Sequence, residues 1–136
     1  MDESAKPAPR DTILLAEDDD AVRSMLREML EWNGCEVLEA RDTDSALAIS
    51  GQHAGAIHLL LTDLMLPGPG GQVLASLILE ARPATKVLFM SGYPREMAFE
   101  SYPQGEGISF LQKPFKPDLL WQKVRETIDS KRSTTP

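Results

Sequence analysis

The chain has 136 residues, enough for one domain and cramped for two. Its 14 Lys+Arg against 21 Asp+Glu give a formal net charge of −7, which disfavours binding to phosphate backbones and to anionic membranes. Apolar residues at 42% are enough for an ordinary core, and a lone cysteine, Cys35, excludes an intramolecular disulfide or a cysteine-based zinc site.

Residues 1–11 are polar, carry Pro7 and Pro9, and read as a flexible lead without the apolar stretch of a signal peptide. Thr12 to Ala16 is a short apolar strand that stops at Glu17-Asp18-Asp19-Asp20. Val22, Met25, Leu26, Met29 and Leu30 then recur at helical spacing, with Asp19 or Asp20 as N-cap and Gly34 as terminator. Cys35 to Ala40 is a second strand, followed by an Ala-rich helix over about Asp44 to Gln52. Ile57 to Thr62 is a third strand, ending at Asp63, with a Pro67–Gly70 loop after it. Val73, Leu74, Leu77 and Ile78 mark the next helix. Lys86 to Met90 is a fourth strand ending at Ser91-Gly92, followed by a weakly patterned helix at Arg95–Ser101. Ile108 to Leu111 is a fifth strand ending at Lys113-Pro114, and a final helix covers about Asp118 to Asp129. Residues 131–136 read as a flexible tail.

Strands and helices alternate five times. The pattern predicts an α/β fold: a five-stranded parallel sheet flanked by five helices on both faces. The strands are almost continuously apolar, as strands buried on both faces are. Trp32 and Trp121 are expected to cover helix–sheet edges, Met25 and Met29 to belong to the core, and Cys35 to be buried and inert. His53 and His58 have no second histidine at ligand spacing and are read as structural.

The polar residues that end the strands carry the chemistry. Glu17 and Asp18, Asp63, Ser91 and Lys113 all fall at the carboxyl edge of the sheet, where open α/β sheets bind ligands. Carboxylates brought together there repel one another, and a hard divalent cation such as Mg²⁺ relieves that repulsion. A lysine and a hydroxyl beside them can grip an anionic oxygen. Such a set can accept a phosphoryl group on a carboxylate.

The ordered segments Leu14-Leu15-Ala16-Glu17-Asp18-Asp19, Leu61-Thr62-Asp63-Leu64-Met65-Leu66-Pro67-Gly68, Met90-Ser91-Gly92 and Lys113-Pro114-Phe115 resemble those of a response-regulator receiver domain. The resemblance spans about residues 12–130 and implies the flavodoxin-like (βα)₅ receiver fold. It implies that Asp63 is the phospho-acceptor and that Mg²⁺ is held by Asp18, Asp63, the backbone carbonyl of Met65 and, through water, Glu17. Ser91 and Lys113 then contact the phosphoryl group, the Lys113-Pro114 bond is cis, and Phe110 sits at the switch-aromatic position. Tyr93 stands at the rim of the site. The resemblance also implies a histidine kinase or histidine phosphotransfer domain as phosphodonor, and homodimerisation through the switch face as one mode of association; the lone cysteine fits a cytoplasmic location. The stretches around Ser91 and Lys113 are similar to receivers attached to hybrid sensor histidine kinases.

Some residues depart from the commonest receiver pattern. Glu17 stands for Asp, Ser91 for Thr, Phe110 for Tyr, and Gly70-Gly71 follows Asp63 where an acidic residue or Asn usually precedes Gly. Two other readings compete. One is a degenerate receiver serving only as an interaction module. The other is a Mg²⁺-dependent aspartyl-phosphate phosphohydrolase, an enzyme that usually carries a second acid two residues after its nucleophile, where this chain has Met65. Direct DNA binding is not expected, because too few residues follow the last predicted helix and the net charge has the wrong sign.

Overall fold

The computed structural model describes residues 10–92 and 107–130. Its elements run β1 (Thr12–Ala16), α1 (Asp20–Trp32), β2 (Glu36–Ala40), α2 (Thr43–Gln52), β3 (Leu59–Asp63), α3 (Gly71–Ala81), β4 (Lys86–Ser91), β5 (Ile108–Gln112) and α4 (Pro117–Asp129). All four strand pairings are parallel, and the sheet order is β2-β1-β3-β4-β5. The predicted helix at Arg95–Ser101 and Tyr93 lie outside the described residues. The other four predicted helices are present.

Alternation along the strands divides the core. Ile13, Leu15, Leu59, Leu61, Leu88 and Leu111 pack with Leu26 and Leu30 of α1 and with Leu120 and Val124 of α4. Leu14, Leu60, Val87 and Phe89 pack on the opposite face with Ala46 of α2 and with Leu74, Ala75 and Ile78 of α3. Successive side chains of a strand point to opposite faces, so one sheet serves two helical layers.

Helix ends follow local chemistry. The Asp19 carboxylate accepts from the Val22 amide and caps α1. Asp42 and Ser45 form a reciprocal capping box that starts α2 one residue before the predicted boundary. Gly34, with φ of 91°, follows the α1 C-cap Asn33. Arg10 and Asp11, read from sequence as part of the lead, are anchored. Arg10 donates to the Gly34 and Cys35 carbonyls, and Asp11 pairs with Arg125 of α4.

Two side-chain expectations are corrected. Trp32 is 89% exposed and covers nothing. It lies two residues after buried Leu30, roughly 200° around the helix. Met25 is likewise exposed, while Met29 is half-buried. On α3 only Leu74 and Ile78 of the predicted stripe are buried; Val73 and Leu77 sit on its flank. Trp121 packs partly against the core, under the Arg125 guanidinium at 5.6 Å. Cys35 is buried, and burial raises its thiol pKa, as an inert thiol requires. His58 accepts the Thr12 amide on Nδ1, a structural role.

Candidate functional site

Strand parity builds the site. Glu17 continues the β1 series Ile13, Leu15. Asp63 continues Leu59, Leu61 in β3, and Lys113 follows Leu111 by two. The chain therefore directs these three polar groups to the face covered by α1 and α4, just beyond its apolar layer.

The contacts agree. Lys113 Nζ donates to Asp63 Oδ2 at 2.8 Å and to Glu17 Oε1 at 3.2 Å. Asp63 Oδ1 accepts the Met65 amide at 3.1 Å, and Glu17 Oε2 accepts the Asp19 amide at 3.1 Å. Carboxylate oxygens of Glu17, Asp18 and Asp63 lie within 4.8 Å of one another. Glu17 and Asp63 are buried and Asp18 is exposed, so the cluster opens to solvent on one side.

Backbone contacts fix the frame. The Glu17 amide donates to the Ala40 carbonyl, and the Lys113 amide donates to the Ser91 carbonyl at 2.7 Å. The Lys113-Pro114 peptide is cis. Ser91 ends β4 and is buried. By alternation it lies on the same face as Phe89, whose ring meets Phe110 with centroids 5.2 Å apart. Phe110 is half-buried, and Met65 is exposed beside Asp63.

Gly71 has a role that spacing alone does not reveal. A Cβ placed there would stand 2.3 Å from the Asp63 carbonyl oxygen. The first turn of α3 thus packs directly on the backbone that presents Asp63. Gly71 departs from no helix rule; what it supplies is room for this close approach.

Three carboxylates face one ammonium. Burial raises the Glu17 carboxyl above its ordinary range, and the Asp19 amide and Lys113 only partly oppose it. Burial works against the Lys113 charge, yet its bond to Asp63 and the nearby carboxylates outweigh burial and raise its pKa. This excess of negative charge, presented entirely through oxygen, fits a hard divalent cation of the Mg²⁺ type.

Residues that sequence reasoning missed include Arg23. Its guanidinium donates to the Glu17 carbonyl at 2.8 Å, to Asp20 and to Glu39. Its position four residues after the Asp19 cap carries no signal of that bond.

The sequence profile of the response regulator receiver domain matches residues 13–125. The chain is 31% identical over 118 residues to the sensor kinase CckA of Brucella abortus, covering 87% of this chain and 12% of that protein. It thus spans only a small part of that relative's length. Among solved structures, it is similar to the receiver domain of the hybrid histidine kinase CckA, with 35% identity, a TM-score of 0.68, and coverage of 87% of this chain and 99% of that one. A CheY-like receiver domain protein of Methanospirillum hungatei superimposes with a TM-score of 0.76 at 26% identity, covering 89% and 95%. Profile, strand order and the acidic edge with its lysine agree: the chain belongs to the response regulator receiver domain family of two-component signalling.

Proposed function

We propose that this receiver takes a phosphoryl group onto Asp63 from a phosphohistidine of a histidine kinase or a histidine phosphotransfer domain. Asp18, Asp63 and the Met65 carbonyl would hold Mg²⁺, with Glu17 acting through water. The observation that carries this reading is the single ammonium of Lys113 shared by Asp63 and Glu17 inside a three-carboxylate cluster.

The chemistry follows from that arrangement. An Asp63 carboxylate oxygen forms the new O–P bond while the N–P bond of the donor breaks, its electron pair leaving with the imidazole. Bound Mg²⁺ supplies neutralisation of the phosphoryl oxygens. Lys113 turns from the carboxylate to a phosphoryl oxygen, and the Ser91 hydroxyl donates to another. Movement at Ser91 is felt by Phe110, which lies on the same sheet face and packs on Phe89. The switch surface therefore includes β4 and β5.

In this reading the chain is a phospho-acceptor with at most self-phosphorylation and self-dephosphorylation. Met65 supplies no second acid for turnover of external substrates. The unit is residues 12–130 with Arg10 and Asp11, which contacts tie to it. No helix among the described residues is long and apolar enough to cross a membrane. A cytoplasmic location belongs to the proposal, as does homodimerisation through the switch face.

Amide NMR with beryllofluoride tests the reading. Saturable shifts around Asp63, Ser91, Phe110 and Lys113 that need Mg²⁺ and vanish in Asp63→Asn are the expected result. An unchanged spectrum would leave the interaction module as the better account.

A further inference from the structure

Asp18 is the one exposed member of the acidic cluster, so its direction depends on the backbone that carries it. Its own amide belongs to the peptide plane whose oxygen is the Glu17 carbonyl. That oxygen accepts from Arg23 Nη1 at 2.8 Å. The other end of the Glu17 residue is tied by its amide to the Ala40 carbonyl at 3.0 Å. The Glu17 side chain is tied to the Asp19 amide and to Lys113.

Arg23 is itself held from two sides. Its Nη2 meets Asp20 Oδ1 at 2.6 Å, and its Nε meets Glu39 Oε1 at 3.3 Å. Glu39 is held in turn by Arg27 at 3.0 Å. Arg23 is only 16% exposed at its side chain, although it lies on the first turns of α1. An ion pair between α1 and β2 needs only Glu39. The bond to the Glu17 carbonyl adds nothing to that staple, but it fixes the peptide leading into Asp18.

We propose that Arg23 is a positioning residue for the metal-binding acidic pair: by clamping the Glu17 carbonyl it sets the orientation from which Asp18 presents its carboxylate. The inference rests on the Mg²⁺ reading of the site. A planar fork with several donors can reach the carbonyl, Asp20 and Glu39 together; a lysine ammonium cannot.

Charge and positioning predict opposite signs. Arg23 is a cation beside a cation site. If it acted only through its field, Arg23→Gln would tighten Mg²⁺ binding and Arg23→Lys would leave it unchanged. If it positions the pair, both variants bind Mg²⁺ more weakly, by about 10-fold for Arg23→Gln.

The test is a Mg²⁺ titration of the whole chain by calorimetry and amide NMR at fixed ionic strength, well below the melting temperature. Weaker binding in both variants, with altered Asp18 and Asp19 amide shifts before metal is added, is the expected result. Affinity in Arg23→Lys within twofold of the parent, or tighter binding in Arg23→Gln, overturns the inference. Arg23→Lys keeps charge and helix propensity, so the test survives if Arg23→Gln does not fold. Failure of the parent itself to bind Mg²⁺ overturns the reading of the site, and this inference with it.

Discussion

Lys113 Nζ donates to Asp63 Oδ2 at 2.8 Å although 50 residues separate them, and the same ammonium reaches Glu17 at 3.2 Å across 96 residues. One cation thus ties the carboxyl ends of β1, β3 and β5 while leaving the cluster short of positive charge. Under the proposed function, stability and phosphoryl transfer draw on the same contact.

Removing that ammonium exposes the conflict. Lys113→Met leaves two buried carboxylates without their shared partner, a loss of about 2 kcal/mol. Urea denaturation without metal should show it, and added Mg²⁺ should recover part of the loss. Beryllofluoride binding should fall sharply even where Mg²⁺ still binds, because Lys113 is read as the contact to the phosphoryl oxygen.

Glu17 should leave a mark on the pH dependence of stability. Its carboxyl titrates at an ordinary 4.5 in the unfolded chain and higher in the folded one. Between those values the folded state binds more protons, so stability from this group falls as pH rises through 4.5 and beyond. Metal-free protein should therefore lose stability relative to Glu17→Gln over that window. Parallel melting curves for the two proteins from pH 4 to pH 7 would contradict this.

Two glycines should respond in opposite directions. At Gly71 an added Cβ meets the Asp63 carbonyl oxygen at 2.3 Å, and Gly71→Ala should cost about 2–3 kcal/mol and weaken Mg²⁺ binding by displacing Asp63. At Gly51, exposed within α2, a Cβ meets nothing within 4 Å. Gly51→Ala should stabilise by about 0.5–1 kcal/mol without altering the site. Denaturant midpoints and metal titrations of both variants check the pair.

Arg82 offers a test of stability separated from chemistry. From the C-cap of α3 it donates to Ser50 Oγ and to the carbonyls of Ser50, His53 and Gly55 at 2.8–3.1 Å. Arg82→Ala should cost about 2–3 kcal/mol, because carbonyls at the end of α2 lose their donors. Mg²⁺ affinity should stay within twofold of the parent. A large change in affinity would mean that this clamp communicates with the acidic edge.

Much of the site was legible because strands punctuate themselves. An apolar run that ends on Glu17, Asp63 or Ser91 states where burial stops, and parallel strands put all such ends on one edge. An acidic cap at Asp19 or Asp20 and the Gly34 terminator were readable for the same local reason, and the structure chose Asp19. Trp32 and Met25 misled because helical spacing identifies a stripe without saying how wide the covering layer is. Arg23, Arg82 and the Asp11–Arg125 pair were invisible, since the carbonyl or carboxylate that holds each arginine is chosen by the packing of distant elements.

The sequence by itself determined the alternation of strands and helices, the two-faced burial of the sheet and the set of polar groups at its carboxyl edge. These follow from periodicity, capping and breaker residues, all of which act over a few positions. Only the tertiary structure decided that Lys113 sits between Asp63 and Glu17, that α3 approaches Asp63 so closely that Gly71 admits no side chain, and that Arg23 holds the peptide before Asp18. Those relationships depend on register, on the order in which strands are laid down and on how deeply each helix seats on the sheet. Such distances are set by the packing of the whole core, and no local stretch of sequence encodes them.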